Sequence, residues 1–169
     1  MTLTVRRILP EDADILRDLR LAALSDEPDA FGSDYEFEMA FADEVWRSRA
    51  LDSSAGDRAA TFIARDGDAP VGLVTGLRTN DVVDLVSMWT GRAFRRQGLG
   101  RRLVDAVVEW AASVGARRVE LWVMSGNDAA QRLYEATGFH VTEEYQPLAS
   151  DPCKDEVRMV REIARDGAT

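Results

Sequence analysis

One cysteine, one lysine and one histidine stand among 169 residues, at Cys153, Lys154 and His140, and each scarcity removes a class of explanation. A lone cysteine forms no internal disulfide, so the chain needs no oxidising compartment, and without a histidine near it in sequence it makes a poor covalent nucleophile. No metal-ligand spacing is present. His140, directly after Gly138 and Phe139, reads as the opening of a strand rather than as a base. No apolar run approaches the roughly 20 residues that cross a bilayer. The opening MTLTVRRILPEDAD lacks the basic-then-apolar layout of a signal peptide, and the expectation is a cytoplasmic chain without a membrane role. Neither GxxxxGK[ST] nor GxGxxG follows a strand-like segment, which excludes two common phosphate loops.

What remains is ordinary for a globular protein: 46% hydrophobic and 30% charged residues, in a chain long enough for one sizeable core and short for two. The expectation is one domain over residues 1–169. The formal charge of −9 argues against a nucleic-acid partner and favours a cationic substrate. That charge carries little weight alone, because Lys154 and 20 arginines supply the 21 basic residues, a bias that reads as genome-wide composition.

Periodicity orders the chain as follows. Leu3 to Ile8 reads as a strand, Pro10 to Leu24 as a helix, Ser25 to Asp34 as a turn-rich stretch and Tyr35 to Leu51 as a second helix. The acids of that second helix, Glu36, Glu38, Asp43 and Glu44, read as a solvated face. Ala59 to Arg65, Val71 to Leu77 and Val82 to Thr90 form an antiparallel meander, with turns at Gly67 to Pro70 and Arg78 to Asp81. A long helix ending near Gly115 follows, then a strand from Arg118 to Val123 parallel to the one before it, then a short helix from Asp128 to Ala136. Phe139 to Tyr145 and Glu156 to Ile163 are the last strands, separated by a loop from Pro147 to Pro152, with a frayed tail beyond. The fold class expected is α/β, with about four helices. Trp46, Trp89, Trp110 and Trp122 read as core or ligand-wall residues.

The chemistry gathers at Asp84 to Arg101, DLVSMWTGRAFRRQGLGR, where a strand breaks into an arginine- and glycine-rich turn and enters the amphipathic helix of Leu99, Leu103, Val107, Trp110 and Val114. Glycines permit close approach of a ligand, first-turn amides lack intrahelical acceptors, and the helix dipole adds positive charge at the same place. An anion such as a phosphate fits such a turn. Arg95, Gly98 and Gly100 match the pattern Q/R-x-x-G-x-G/A, and Asn127, Ala130, Leu133, Tyr134, Glu135, Gly138 and Phe139 match N-x-x-A-x-x-L-Y-E-x-x-G-F. With these two motifs the chain resembles the GNAT superfamily of acyl-coenzyme-A-dependent N-acetyltransferases. The resemblance implies a mixed, mostly antiparallel sheet splayed between its fourth and fifth strands, with a cofactor-binding core over about 81–145.

It also implies roles. Coenzyme A pyrophosphate would rest on the turn formed by Arg95, Arg96, Gln97, Gly98, Leu99, Gly100 and Arg101, with pantetheine along the strand backbone at Met88, Trp89 and Thr90. A bulge would free that backbone, the Met88 amide would polarise the thioester carbonyl, and Asn127 and Ala130 would line the pantetheine arm. Tyr134 would protonate the departing thiolate. An amine of pKa about 10.4 costs roughly 4.6 kcal/mol to deprotonate at pH 7, so a base is useful. Asp84 takes that role if burial raises its basicity; Asp81 is its rival, and water is the alternative to both. The reaction implied is direct transfer of acetyl from acetyl-CoA, without metal, to a primary amine of a small, cationic acceptor. A protein N-terminus or lysine, or a non-catalytic acyl-CoA-binding role, are the alternatives. Pairing into a homodimer through the last strands is a further implication of the family.

Overall fold

The computed structural model describes residues 2–164. Seven strands form one sheet in the order β1-β2-β3-β4-β5-β7-β6: β1 Leu3–Arg7, β2 Ala59–Asp66, β3 Ala69–Thr79, β4 Val82–Thr90, β5 Arg118–Met124, β6 His140–Leu148 and β7 Asp151–Glu162. All neighbours are antiparallel except β4 and β5, which are linked through a helix and run parallel. Among the described residues five α-helices flank the sheet: α1 Ala13–Asp26, α2 Tyr35–Met39, α3 Asp43–Ser54, α4 Leu99–Ser113 and α5 Asp128–Ala136.

Two departures from the sequence reading have local causes. The helix expected over Tyr35 to Leu51 is two helices, because Ala42 is extended (φ −65°, ψ 154°) and restarts the chain. Asp43 and Glu44 are then first-turn residues of α3, where carboxylates favour the helix dipole, rather than a mid-helix face. The loop expected from Pro147 to Pro152 is reduced to a turn at Ala149 and Ser150: Pro147 lies on the edge strand β6, and Pro152 lies where β7 bulges between Asp151 and Asp155, so neither breaks a ladder.

The two faces of the sheet bury separate cores. On one, Leu99, Leu103, Val104, Val107 and Trp110 of α4 pack on Val74, Val83, Leu85, Val119, Leu121 and Met159. On the other, Leu16, Leu19, Ala23 and Leu24 of α1 and Trp46 and Ala50 of α3 cover Ile63 and Leu73. Leu103 is fully buried, and Leu103→Ala is expected to cost about 2–5 kcal/mol in urea unfolding through lost transfer energy and the cavity left behind.

The sheet opens in the middle. Pairing between β4 and β5 covers only Val82 to Asp84 against Arg118 to Glu120, although both strands continue for several residues. On the other side of β4 the register slips: Leu73 faces Trp89 but Thr75 faces Val86, so β4 carries one extra residue at Ser87 and Met88. Ser87 adopts φ 56° to accommodate it. The result is a V-shaped gap bordered by β4 from Leu85 onward, with Asp84 at its apex.

Candidate functional site

At the open end of the gap the chain makes a short 3-10 turn at Arg92–Phe94 and passes through two left-handed residues, Arg96 (φ 61°) and Gly98 (φ 80°), into α4. The first helical bond there runs from the Arg102 amide to the Gly98 carbonyl at 3.1 Å, and no side chain caps the terminus. The amides of Leu99, Gly100 and Arg101 are therefore left without intrahelical acceptors, the condition for anion binding derived from the sequence. Gly100 has a packing reason as well, since a Cβ there would lie 3.1 Å from Leu133 Cδ2 and 3.3 Å from Met88 Cε. A side chain at this position would crowd Leu133 and Met88, so the close approach of the turn to β4 and α5 favours glycine.

Three of the residues assigned to the turn and strand direct their side chains elsewhere. Arg95 donates from Nη2 to Asp26 Oδ2 at 2.6 Å and from Nε to the Thr90 carbonyl at 3.2 Å. Trp89 donates its indole N–H to the same Asp26 oxygen at 3.0 Å. Gln97 donates to the Ala93 carbonyl at 2.8 Å. Asp26, at the end of α1, also accepts from Arg92, and so clamps the strand end and the turn from outside the gap. The Trp89 indole first, then Arg92 and Arg95, hold its carboxyl below the ordinary aspartate range against the opposing effect of burial.

Within the gap, Asp84 is half-buried, and burial first and the neighbouring Glu120 second push its carboxyl up, with Arg158 opposing. Glu120 is the cross-strand partner of Asp84, and it bridges to both Arg118 and Arg158; Arg158 in turn reaches Glu144. The sequence reading did not single out Glu120 or Arg158. Parallel pairing of β4 with β5 places Glu120 opposite Asp84, and strand alternation puts both side chains off the α4 face, where Val83, Leu85, Val119 and Leu121 are buried. Asp81, the rival base, is tied to Arg117 at 2.9 Å in the preceding turn.

Tyr134 of α5 is buried, edge-on to Phe139 with ring centroids 5.8 Å apart, and burial, reinforced by Glu27, raises its phenol far above the ordinary value and keeps it protonated. Asn127 is the N-cap of α5: its Oδ1 accepts from the Ala130 amide at 3.2 Å, which holds its side chain in place and leaves Nδ2 as a donor. Ala130 packs against the α4-side core. His140 opens the edge strand β6, exposed, and Cys153 is an exposed free thiol. Among the described residues there is no cluster of three or more histidine, cysteine or acidic side chains that could hold a metal ion, and no helix long and apolar enough to cross a membrane.

A central parallel strand pair opens over a glycine turn at a helix N-terminus, and comparison with known proteins places this arrangement. The model of the acetyltransferase (GNAT) family matches residues 19–139, and the chain belongs to that family. Over 63 residues, 36% of this chain, it is 43% identical to mycothiol acetyltransferase of Corynebacterium diphtheriae, of which that segment is 21%. Over 96 residues, 52% of this chain, it is 28% identical to aminoglycoside N(6')-acetyltransferase type 1 of Salmonella typhimurium, of which that segment is 66%. The matched segments thus span less than two thirds of either relative. Among solved structures, an acetyltransferase of the GNAT family from Streptococcus pneumoniae superposes with TM-score 0.81 at 24% identity, covering 96% of this chain and 100% of that one. The structure of yncA from Salmonella typhimurium with its cofactor acetyl-CoA gives 0.77 at 18% identity, covering 100% and 98%. At these identities the likeness is one of fold.

Proposed function

We propose that this protein moves the acetyl group of acetyl-CoA directly to a primary amine of a small molecule, both substrates being bound together. The observation that carries the proposal is the gap itself: a bulged, half-unpaired β4 with a raised-pKa carboxyl at its apex and a helix N-terminus with free amides at its mouth. Such backbone can accept a ligand in the manner of an added strand.

Acetyl-CoA supplies the activated acetyl group, and the chain supplies everything around it. The Leu99, Gly100 and Arg101 amides neutralise pyrophosphate charge, while Met88 N–H donates to the acyl oxygen as charge develops there. Asp84, made more basic by burial and Glu120, accepts the ammonium proton directly or through one water. Tyr134, held neutral, donates a hydrogen bond to the departing sulfur, which leaves as thiolate and takes its proton from solvent, and the Asn127 amide orients the arm between.

We read the contacts that join the turn after α1 to the β6–β7 end as narrowing the acceptor side, which favours a small acceptor over a protein chain. Lys154 of β7 bridges to Asp29 of the Pro28–Ala30 turn at 2.8 Å, and Gly32 lies against Ala149 of the β6–β7 turn. An extended peptide needs that passage open. The relatives' names, mycothiol and aminoglycoside acetyltransferases, point to small amines as well. Release of free thiol from acetyl-CoA across a panel of aminoglycosides, amino-sugar thiols, polyamines and short peptides is expected to show stimulation by a small amine. Stimulation by peptides alone would replace this reading with a protein acceptor.

The Asp26 clamp gives a further expectation. Asp26→Ala releases Arg92, Arg95 and Trp89 together and loosens the turn, so acetyl-CoA affinity measured by calorimetry falls about tenfold, equivalent to about 1.4 kcal/mol. An unchanged affinity would show that the turn is rigid without the clamp.

A further inference from the structure

The mechanism above gives no task to the buried charged junction where α1, α2 and β4 meet. Arg20 of α1 donates from Nε and Nη2 to the two oxygens of Glu38 at 3.0 and 2.9 Å, a bidentate pair. Glu38, on the short helix α2, is 2% exposed. The third arm of the guanidinium, Nη1, donates to Ser87 Oγ at 3.2 Å, and the same group lies 5.0 Å from the ring centroid of Phe31. One side chain therefore touches α2, the segment following α1 and the β4 bulge.

Ser87 is where this matters. It is the residue whose left-handed backbone creates the bulge, and its successor is Met88, whose amide the proposed reaction uses. A serine gains nothing from a positive φ, and such a conformation persists only where the surroundings hold it. The only side-chain hydrogen bond described for Ser87 is the one from Arg20. A lysine in place of Arg20 could not keep two bonds to Glu38 and one to Ser87 in a plane.

We propose that Arg20 is a positioning residue that locks the Ser87–Met88 bulge to α2, so that ordering of α2 fixes the direction of the Met88 amide. The proposal rests on the acetyl-transfer reading for its kinetic consequence and on the junction geometry alone for its structural one. Arg20 touches neither reacting group; it acts through Ser87.

Two variants separate this role from plain stability. Ser87→Gly keeps the left-handed backbone accessible while removing the CH2OH group that receives the Arg20 hydrogen bond, and Arg20→Lys keeps the charge and loses the planar fork. Each is expected to lower kcat about 10- to 100-fold, as misplacement of a reacting group does, with little change in KM for acetyl-CoA because the pyrophosphate turn is untouched. The double variant is expected to be no slower than the slower single one. Amide hydrogen exchange should quicken in residues 86–90 and 35–39 of the Arg20→Lys protein. Retention of kcat within about twofold of the parent in both variants, or losses that multiply in the double variant, would overturn the proposal. Exchange confined to 35–39 would overturn it too. If the parent itself releases no thiol with any amine, the acetyl-transfer reading fails, and the exchange pattern still decides whether Arg20 locks the bulge.

Discussion

Asp84→Asn is expected to reduce kcat/KM for the amine about 10²–10⁴-fold near neutral pH, the range typical for loss of a general base. The parent rate should rise with pH through the Asp84 value, which burial and Glu120 place above the ordinary aspartate range of about 3.9. In the variant that limb disappears, and activity follows the fraction of neutral amine, recovering in alkaline solution. Misfolding would not explain the loss. A carboxyl whose pKa is raised by folding destabilises the native state wherever it is ionised, and that cost fades only as pH falls through the raised value. Removing the charge should therefore leave thermal stability at neutral pH equal or higher. An Asp84→Asn enzyme of parental activity would transfer the proton to water and leave Asp84 as a polar strand residue.

The largest expected effect on stability is at Glu38. Burial alone would push its carboxyl up, but the Arg20 fork and the more distant Arg49 outweigh burial and hold it below the ordinary glutamate value. Glu38→Ala leaves a buried guanidinium without its partner and is expected to cost about 3–5 kcal/mol in urea unfolding. The pH dependence has a definite sign. A depressed carboxyl contributes its stabilisation above its unfolded value, about 4.3, and loses it as pH falls through the folded one. The difference between parent and Glu38→Ala should be full at pH 7 and shrink in acid below about pH 4. A difference independent of pH would mean that packing, not charge, is lost.

Glu38 also shows where sequence reading stops. Its place among Glu36, Asp43 and Glu44 looks like one acidic, solvated face, and only the break at Ala42 and the approach of Arg20, 18 residues earlier, turn it inward. Strands and turns were legible because the alternation in β2 to β4 and the glycines between them act locally. The turn before α4 is legible because Gly98 takes a left-handed backbone and Gly100 packs closely, both of which favour glycine. Asp84 is singled out by its position alone, whereas its raised pKa comes from burial first and then from Glu120, 36 residues on and brought alongside only by the parallel pairing of β4 with β5. Arg95 stands at a motif position that implies a ligand contact, and its side chain reaches back across 69 residues to Asp26. Long-range partners decide what a charged side chain does, and the spacing of a motif does not record them.

The central claim is that the gap between β4 and β5 takes acetyl-CoA. Titration calorimetry of the parent with acetyl-CoA, run beside Gly100→Val, tests it most directly, because a branched side chain at that position would press on Leu133 and Met88 and close the mouth. The account predicts saturable binding at one site per chain in the parent and its loss in a Gly100→Val protein that still unfolds cooperatively. No binding heat and no rise in melting temperature at millimolar acetyl-CoA in the parent would contradict it.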